Sequence, residues 1–88
     1  MSDIRANVVA SLKEHLQTLN ETVTSNAGNA DAQITAYQST NNIFQGLGEG
    51  LALAGAEDAT QPVEVAMNHI ETQIAAVRAQ ADLDALLA

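Results

Sequence analysis

The sequence predicts an all-α protein that folds as a three-helix hairpin or bundle in a single domain, residues 1–88. Two observations favour this class. Apolar residues recur at spacings of three and four along most of the chain, which is the period of an α-helix. Two short segments, at residues 26–29 and 57–62, contain glycine, asparagine or proline and interrupt that period. We therefore expect helices at roughly residues 3–24, 30–57 and 61–86.

The first predicted helix carries apolar side chains along one face. Ser2 or Asp3 can cap its first turn, because short side chains with an oxygen accept hydrogen bonds from the free N–H groups there. The run Asn-Ala-Gly-Asn at 26–29 tolerates the left-handed backbone of a helix end, so we expect the chain to reverse at this point. The apolar face consists of Ile4, Val8, Leu12, Leu16, Leu19 and Val23.

The second predicted helix begins near residues 29–31, with the Asp31 carboxylate in its positive first turn. The segment Gly46–Gly50 is ambiguous, because each interior glycine costs a helix about 1 kcal/mol relative to alanine. It could break the helix as a turn. We favour a continuous or kinked helix, since small residues alternate with leucine here as they do where two helices pack closely. The apolar stripe consists of Ile34, Tyr37, Phe44, Leu47 and Leu51.

The third predicted helix has the most regular pattern. A break is expected at Glu57–Pro62, where Thr60 or Gln61 precedes a proline that suits the first position of a helix. Apolar residues then alternate at spacings of four and three, which is the core seam of a coiled coil or bundle. We expect this seam to pack on the first two helices. It consists of Val63, Met67, Ile70, Ile74, Val77 and Ala81.

A separate apolar end follows this seam, after Asp84 interrupts it. Leu83, Leu86 and Leu87 allow two interpretations. They could cover the end of the bundle as a frayed tail, or they could act as a hook for a neighbouring subunit.

The composition indicates a protein that needs a partner surface. Apolar residues make up 47% of the chain, but 17 of them are alanines and only Tyr37 and Phe44 are aromatic, so little large apolar area is available to bury. A formal charge of −8 opposes nucleic-acid backbones and makes nucleic acid the least expected partner. No apolar run is long enough to span a membrane, no cleaved secretory signal is visible, and the cytoplasm is the default location.

The spacings that catalysis and metal binding demand are not visible in the sequence. His15 and His69 belong to no helical metal-binding motif, and we expect both to be solvated or capping residues. Asp82 and Asp84 lack the glycine and the terminal glutamate of a calcium loop. The glycines at 46–50 follow no strand and precede no lysine, unlike a phosphate loop. We therefore predict no catalytic residue, no cofactor and no metal.

Three short segments resemble a known family. Asn42–Gln45, Leu51–Ala54 and Asp58–Thr60 are similar to a pattern in bacterial R-body proteins of the RebB type. The resemblance implies a small helical subunit that polymerises into a rolled protein ribbon, which in some cases unrolls on acidification. A looser likeness, carried by Ala36–Ser39, is to the helical hairpin subunits of secretion needles. The R-body resemblance implies a subunit contact at Phe44, Gln45, Leu51, Leu53 and Ala54.

We predict a non-enzymatic, self-associating structural subunit whose contact lies on the second and third helices. Its partner would be another copy of the chain. The alternative is an acidic adaptor, a chaperone-like protein or a secreted effector that binds another protein through a groove beside the second helix. The predicted interaction residues are Phe44, Gln45, Gly48, Leu51, Leu53, Ala54, Leu83 and Leu87.

Overall fold

The computed structural model describes residues 3–88, and this part of the chain consists of three α-helices and two short turns, with no strand. Helix α1 is Ile4–Ser25, α2 is Ala30–Leu53 and α3 is Glu57–Leu87. Each helix packs against the other two, and the contact between α2 and α3 is the most extensive. The all-α three-helix prediction is confirmed.

One hydrophobic core lies between the three helices. Phe44 of α2 and Ile70 of α3 are completely buried, and none of the buried residues in the range 3–88 is polar or charged. The helical spacings predicted most of this core, including Val63 and Ile74 of the α3 seam. Sequence periodicity therefore identifies the packed faces of α1 and α3. The buried residues are Val8, Leu12, Leu19, Phe44, Ala56, Ala59, Val63, Ala66, Ile70 and Ile74.

The turn between α1 and α2 lies at the predicted place. Gly28 has a φ of 83°, a left-handed conformation that glycine adopts without steric cost. The Asn29 side chain accepts a hydrogen bond of 3.1 Å from the Ala32 N–H, and Asp31 lies in the first turn of α2 as predicted. At the start of α1, Asp3 makes no capping hydrogen bond through its side chain, and Ser2 lies outside the described residues.

Helix α2 continues through Gly46–Gly50, so the favoured helical interpretation of this segment is confirmed. The three glycines face different surroundings. A Cβ atom added to Gly48 would lie 3.4 Å from Cγ1 of Val63 in α3, whereas one added to Gly46 or Gly50 would meet no atom of the described residues within 4 Å. Gly48 therefore lets α2 and α3 approach closely, and the close contact predicted for this segment forms within the chain at that position.

The predicted boundary between the second and third helices is wrong by four residues at each side. Helix α2 ends at Leu53 rather than 57, and α3 begins at Glu57 rather than 61. The cause is Gly55, whose φ of 78° ends α2. Its N–H donates to the Ala52 carbonyl at 3.1 Å, and the Ala56 N–H donates to the Leu51 carbonyl at 2.9 Å. These two bonds form a Schellman motif, which satisfies carbonyls that the helix end leaves free.

Pro62 lies inside α3 rather than at its first position. A proline at this place removes one backbone hydrogen bond, the one that the Asp58 carbonyl would otherwise accept. Asp58 is exposed, so water can solvate that carbonyl. The Thr60 hydroxyl, predicted to precede the helix, instead donates to the Glu57 carbonyl at 2.6 Å in the first turn. Helix α3 continues through Pro62 despite this cost, and the buried residues of the α3 seam follow directly after it.

Alanine substitutions at two glycines should change stability in opposite directions. Gly55→Ala should lower the free energy of unfolding by about 1–2 kcal/mol, because a left-handed backbone strains any residue with a Cβ. Gly46→Ala should raise it by about 0.5–1 kcal/mol, because the added methyl meets open space in a regular helix. Urea denaturation of both variants measures the difference. A stabilising Gly55→Ala would contradict the turn at this position.

Helix α3 extends beyond its neighbours at its C-terminal end. Its 31 residues give a length of about 46 Å, against about 36 Å for the 24 residues of α2. Because α3 starts where α2 ends, the difference accumulates at the far end, and all residues from 82 to 88 are exposed. We call this segment, residues 82–88, the leucine tail.

Candidate functional site

Three of the predicted interaction residues belong to the interior of the chain's own fold. Phe44 is completely buried, Leu51 packs against the core, and Gly48 faces Val63 of α3. Their contacts are therefore intramolecular, and an interface role for Phe44 would require the bundle to open. A large side chain at Gly48 would strain the α2–α3 contact within each chain, whether the protein is a monomer or a polymer. The substitution Gly48→Leu therefore cannot distinguish a monomer from a polymer.

A second group of predicted residues lies exposed near the end of α2. Leu53 is 91% exposed, which is the highest value among the large apolar residues of the described chain. Ala54 beside it is also exposed. Gln45 lies on the outer surface of α2, where its side-chain amide donates to the Glu49 carboxylate at 3.4 Å. These three residues are accessible to solvent, and we refer to them together as the α2-end patch.

The leucine tail is the third group, and it is the larger apolar surface. Leu83 is 46% exposed, Leu86 79% and Leu87 74%. Their spacing of three and four residues puts them on one face of α3, with Asp82 and Asp84 on either side of that face. The tail is thus the amphipathic C-terminal end of α3, and its three leucines do not belong to the hydrophobic core of the described residues.

The α2-end patch and the leucine tail are far apart. Leu53 lies beside the start of α3, whereas Leu83 lies 26 residues after Glu57, which corresponds to roughly 39 Å along the helix. The protein is 56 Å long and much narrower in its other two dimensions, 19 and 14 Å. The predicted interaction residues therefore do not form one surface.

A groove lies between α1 and α3, near the end of the bundle that holds the α2–α3 turn. It was not predicted from the sequence. Its volume is about 460 Å³. Val65 on its rim is 58% exposed. We call it the α1–α3 groove, and it differs from the groove beside the second helix that the sequence suggested. Its lining residues are Arg5, Val9, Leu12, Lys13, Leu16, Gln61, Pro62, Val65, Ala66 and His69.

The charge of the α1–α3 groove differs from that of the protein as a whole. Of the three lysines and arginines in the chain, Arg5 and Lys13 line it, and no carboxylate is among its lining residues within the range 3–88. The Arg5 guanidinium donates to the neutral Gln61 side chain at 3.3 Å. A signal was present in the sequence: Val9 and Val65 are apolar residues outside the main stripes, and Arg5, Val9 and Lys13 share a spacing of four.

The two histidines have different surroundings. His15, which was expected to be solvated or a cap, is half-buried, and its ring centroid lies 5.9 Å from that of Phe44 at a tilt of 46°. The packing of α1 on α2 brings the two rings together. His69 is exposed on the rim of the α1–α3 groove, in agreement with expectation. Within residues 3–88, no three His, Cys, Asp or Glu side chains converge in a way that could hold a metal ion.

None of the helices in the described range is both long and apolar enough to cross a membrane. Comparison of the chain with models of known protein families, with curated proteins and with solved structures found no match.

Proposed function

We propose that this protein is a non-enzymatic helical subunit that self-associates into an oligomer or polymer. The observation that carries the proposal is the leucine tail, which presents three leucines, each 46–79% exposed, on one face of a helix. Scattered exposed leucines are ordinary, but an apolar group bordered by charged residues is typical of a protein interaction site. Burial of this face against a second molecule would remove its apolar area from water.

The small core supports the same proposal. Only ten apolar residues are buried in the described chain, and three of them are alanines. A domain of 88 residues buries a smaller fraction of its surface than a larger one does, and small helical proteins often gain the missing stability by association. Contact between subunits would supply apolar burial that the isolated bundle lacks.

The likeness to R-body subunits fits this proposal only in part. Of the five contact residues that the likeness implies, Gln45, Leu53 and Ala54 are accessible on the α2-end patch. Phe44 and Leu51 instead serve the chain's own core. The general property, polymerisation of a small helical subunit, is the part that we include in the proposal. An R-body-like ribbon would require its contacts to involve the exposed residues alone.

Sedimentation velocity of the full chain tests the proposal directly. We expect the average mass to rise steadily with protein concentration, because apolar contacts between copies follow mass action. The measurement should be made at physiological ionic strength, because copies that each carry a formal charge of −8 repel one another at low salt. A small species of constant mass at every concentration would contradict self-association and favour the adaptor alternative.

A further inference from the structure

We propose that the leucine tail of one copy docks in the α1–α3 groove of a second copy, so that the subunits associate head to tail. This inference rests on the proposed self-association and names its two surfaces. Both surfaces combine accessible apolar side chains with charged ones: the tail offers Leu83, Leu86 and Leu87, and the groove offers Val9, Leu16, Pro62 and Val65.

Charge complementarity selects the groove as the receptor. The tail carries Asp82 and Asp84 on the two flanks of its leucine face, so an acidic surface would repel it. Most of the protein is acidic, with eleven carboxylates against three lysines and arginines. Arg5 and Lys13 both line the groove, and none of the described residues that line it carries a carboxylate. Docking there would place the two aspartates of the tail near the two basic residues.

The geometry excludes docking of the tail in its own groove. Val65 and Leu83 belong to the same continuous helix, and their separation of 18 positions corresponds to roughly 27 Å. A straight helix cannot fold back on itself, so the occupant of the groove must come from another molecule. The two surfaces lie toward opposite ends of a body 56 Å long. Such a contact leaves one free tail and one free groove on each pair, which permits growth into a filament or closure into a ring.

Three matched single substitutions test the contact, each of which replaces an exposed apolar residue with aspartate. Leu86→Asp alters the tail, Val65→Asp alters the groove, and Leu53→Asp alters the α2-end patch as the control. Leu86→Asp and Val65→Asp should each weaken self-association by about ten- to hundredfold, which is the expected effect of losing one buried large apolar side chain. Leu53→Asp should associate as the unaltered protein does. Far-UV circular dichroism should show the same helix content for all three.

Mixing the Leu86→Asp and Val65→Asp proteins gives the most specific test of the head-to-tail contact. A Leu86→Asp copy keeps an intact groove, and a Val65→Asp copy keeps an intact tail, so each alone should stay monomeric at concentrations where the unaltered protein grows. Together they should form a one-to-one pair that does not grow further, because the remaining tail and groove are both altered. A two-fold symmetric contact between identical patches would not give this complementation.

The contribution of charge to the docking of the tail can be measured separately. Lys13→Glu should weaken association by about two- to fivefold, since exposed ion pairs contribute little, and Lys13→Gln should weaken it less. An unchanged or stronger association of Lys13→Glu would overturn the docking of the acidic tail beside Lys13.

The outcomes separate this inference from the proposed function. An unaltered protein that remains monomeric would overturn the proposed function and the head-to-tail contact with it. An unaltered protein that associates while Leu86→Asp or Val65→Asp associates equally well would overturn the head-to-tail contact alone. Loss of association in Leu53→Asp only would move the contact to the α2-end patch and likewise overturn it.

Discussion

Replacement of Ile70 by aspartate should abolish the folded structure. Ile70 is completely buried in the middle of α3, and no buried polar residue lies among the described positions to pair with a new carboxylate. An unpaired charge in an apolar core costs at least about 4 kcal/mol. The total stability expected for a chain of this length is only about 4–13 kcal/mol. We therefore expect Ile70→Asp to lose most of its helical circular dichroism signal and its cooperative thermal transition.

The same helix offers a matched control for Ile70→Asp. Val65 lies five residues earlier and is 58% exposed, so Val65→Asp adds the same charge to α3 in contact with water. At concentrations low enough to keep both proteins dissociated, the stability of this variant should lie within about 1 kcal/mol of that of the unaltered protein. If Ile70→Asp melted as Val65→Asp does, Ile70 would not lie in the core and the packed face of α3 would have to be reassigned.

Periodicity accounts for what the sequence predicted correctly. In α1 and α3 the apolar residues follow a strict helical repeat, and each repeat points at one face. Such a pattern identifies the face of each helix that is buried. The buried residues Leu12 and Leu19 of α1, and Val63 and Ile74 of α3, all came from it. The first turn was equally predictable, because Gly28 lies between two polar asparagines.

The position of the second turn was predicted wrongly because the sequence does not distinguish its glycine, Gly55, from the glycines that precede it in α2. Gly55 ends α2 in a left-handed conformation, but it follows Gly46, Gly48 and Gly50, all of which lie inside the helix. Whether a glycine continues or ends a helix depends on its backbone conformation, which the sequence alone does not give. Pro62 reinforced the error, since proline favours the first turn of a helix, whereas in α3 it is the sixth residue.

The candidate site was only half predictable for a related reason. The leucine tail is contiguous in sequence, so its apolar face could be recognised directly as a hook or an end cover. The α1–α3 groove combines Arg5, Val9 and Lys13 with Pro62 and Val65, which are more than 45 residues away along the chain. Only the packing of α1 against α3 brings these two groups together. Surfaces that span two helices require the tertiary structure, whereas a face of one helix does not.

Phe44→Ala should destabilise the isolated bundle by about 3–5 kcal/mol. Phe44 is the only phenylalanine of the chain, it is completely buried, and its ring packs beside that of His15. Removal of a buried aromatic side chain loses its apolar burial and leaves a cavity that a small bundle fills incompletely. Urea denaturation at concentrations low enough to keep the protein dissociated measures this effect. The adjacent Ile43, which is 51% exposed, provides the control: Ile43→Ala should cost less than about 1 kcal/mol.

Phe44→Ala also distinguishes a core role of Phe44 from an interface role. The likeness to R-body subunits places Phe44 on a contact between subunits, whereas the packing places it inside one subunit. An interface residue would leave the stability of the dissociated bundle unchanged and weaken only the association between copies. A core residue must lower the unfolding free energy of the dissociated chain itself, and any loss of association would follow from that. A Phe44→Ala protein that unfolds like Ile43→Ala but no longer associates would therefore contradict the core assignment.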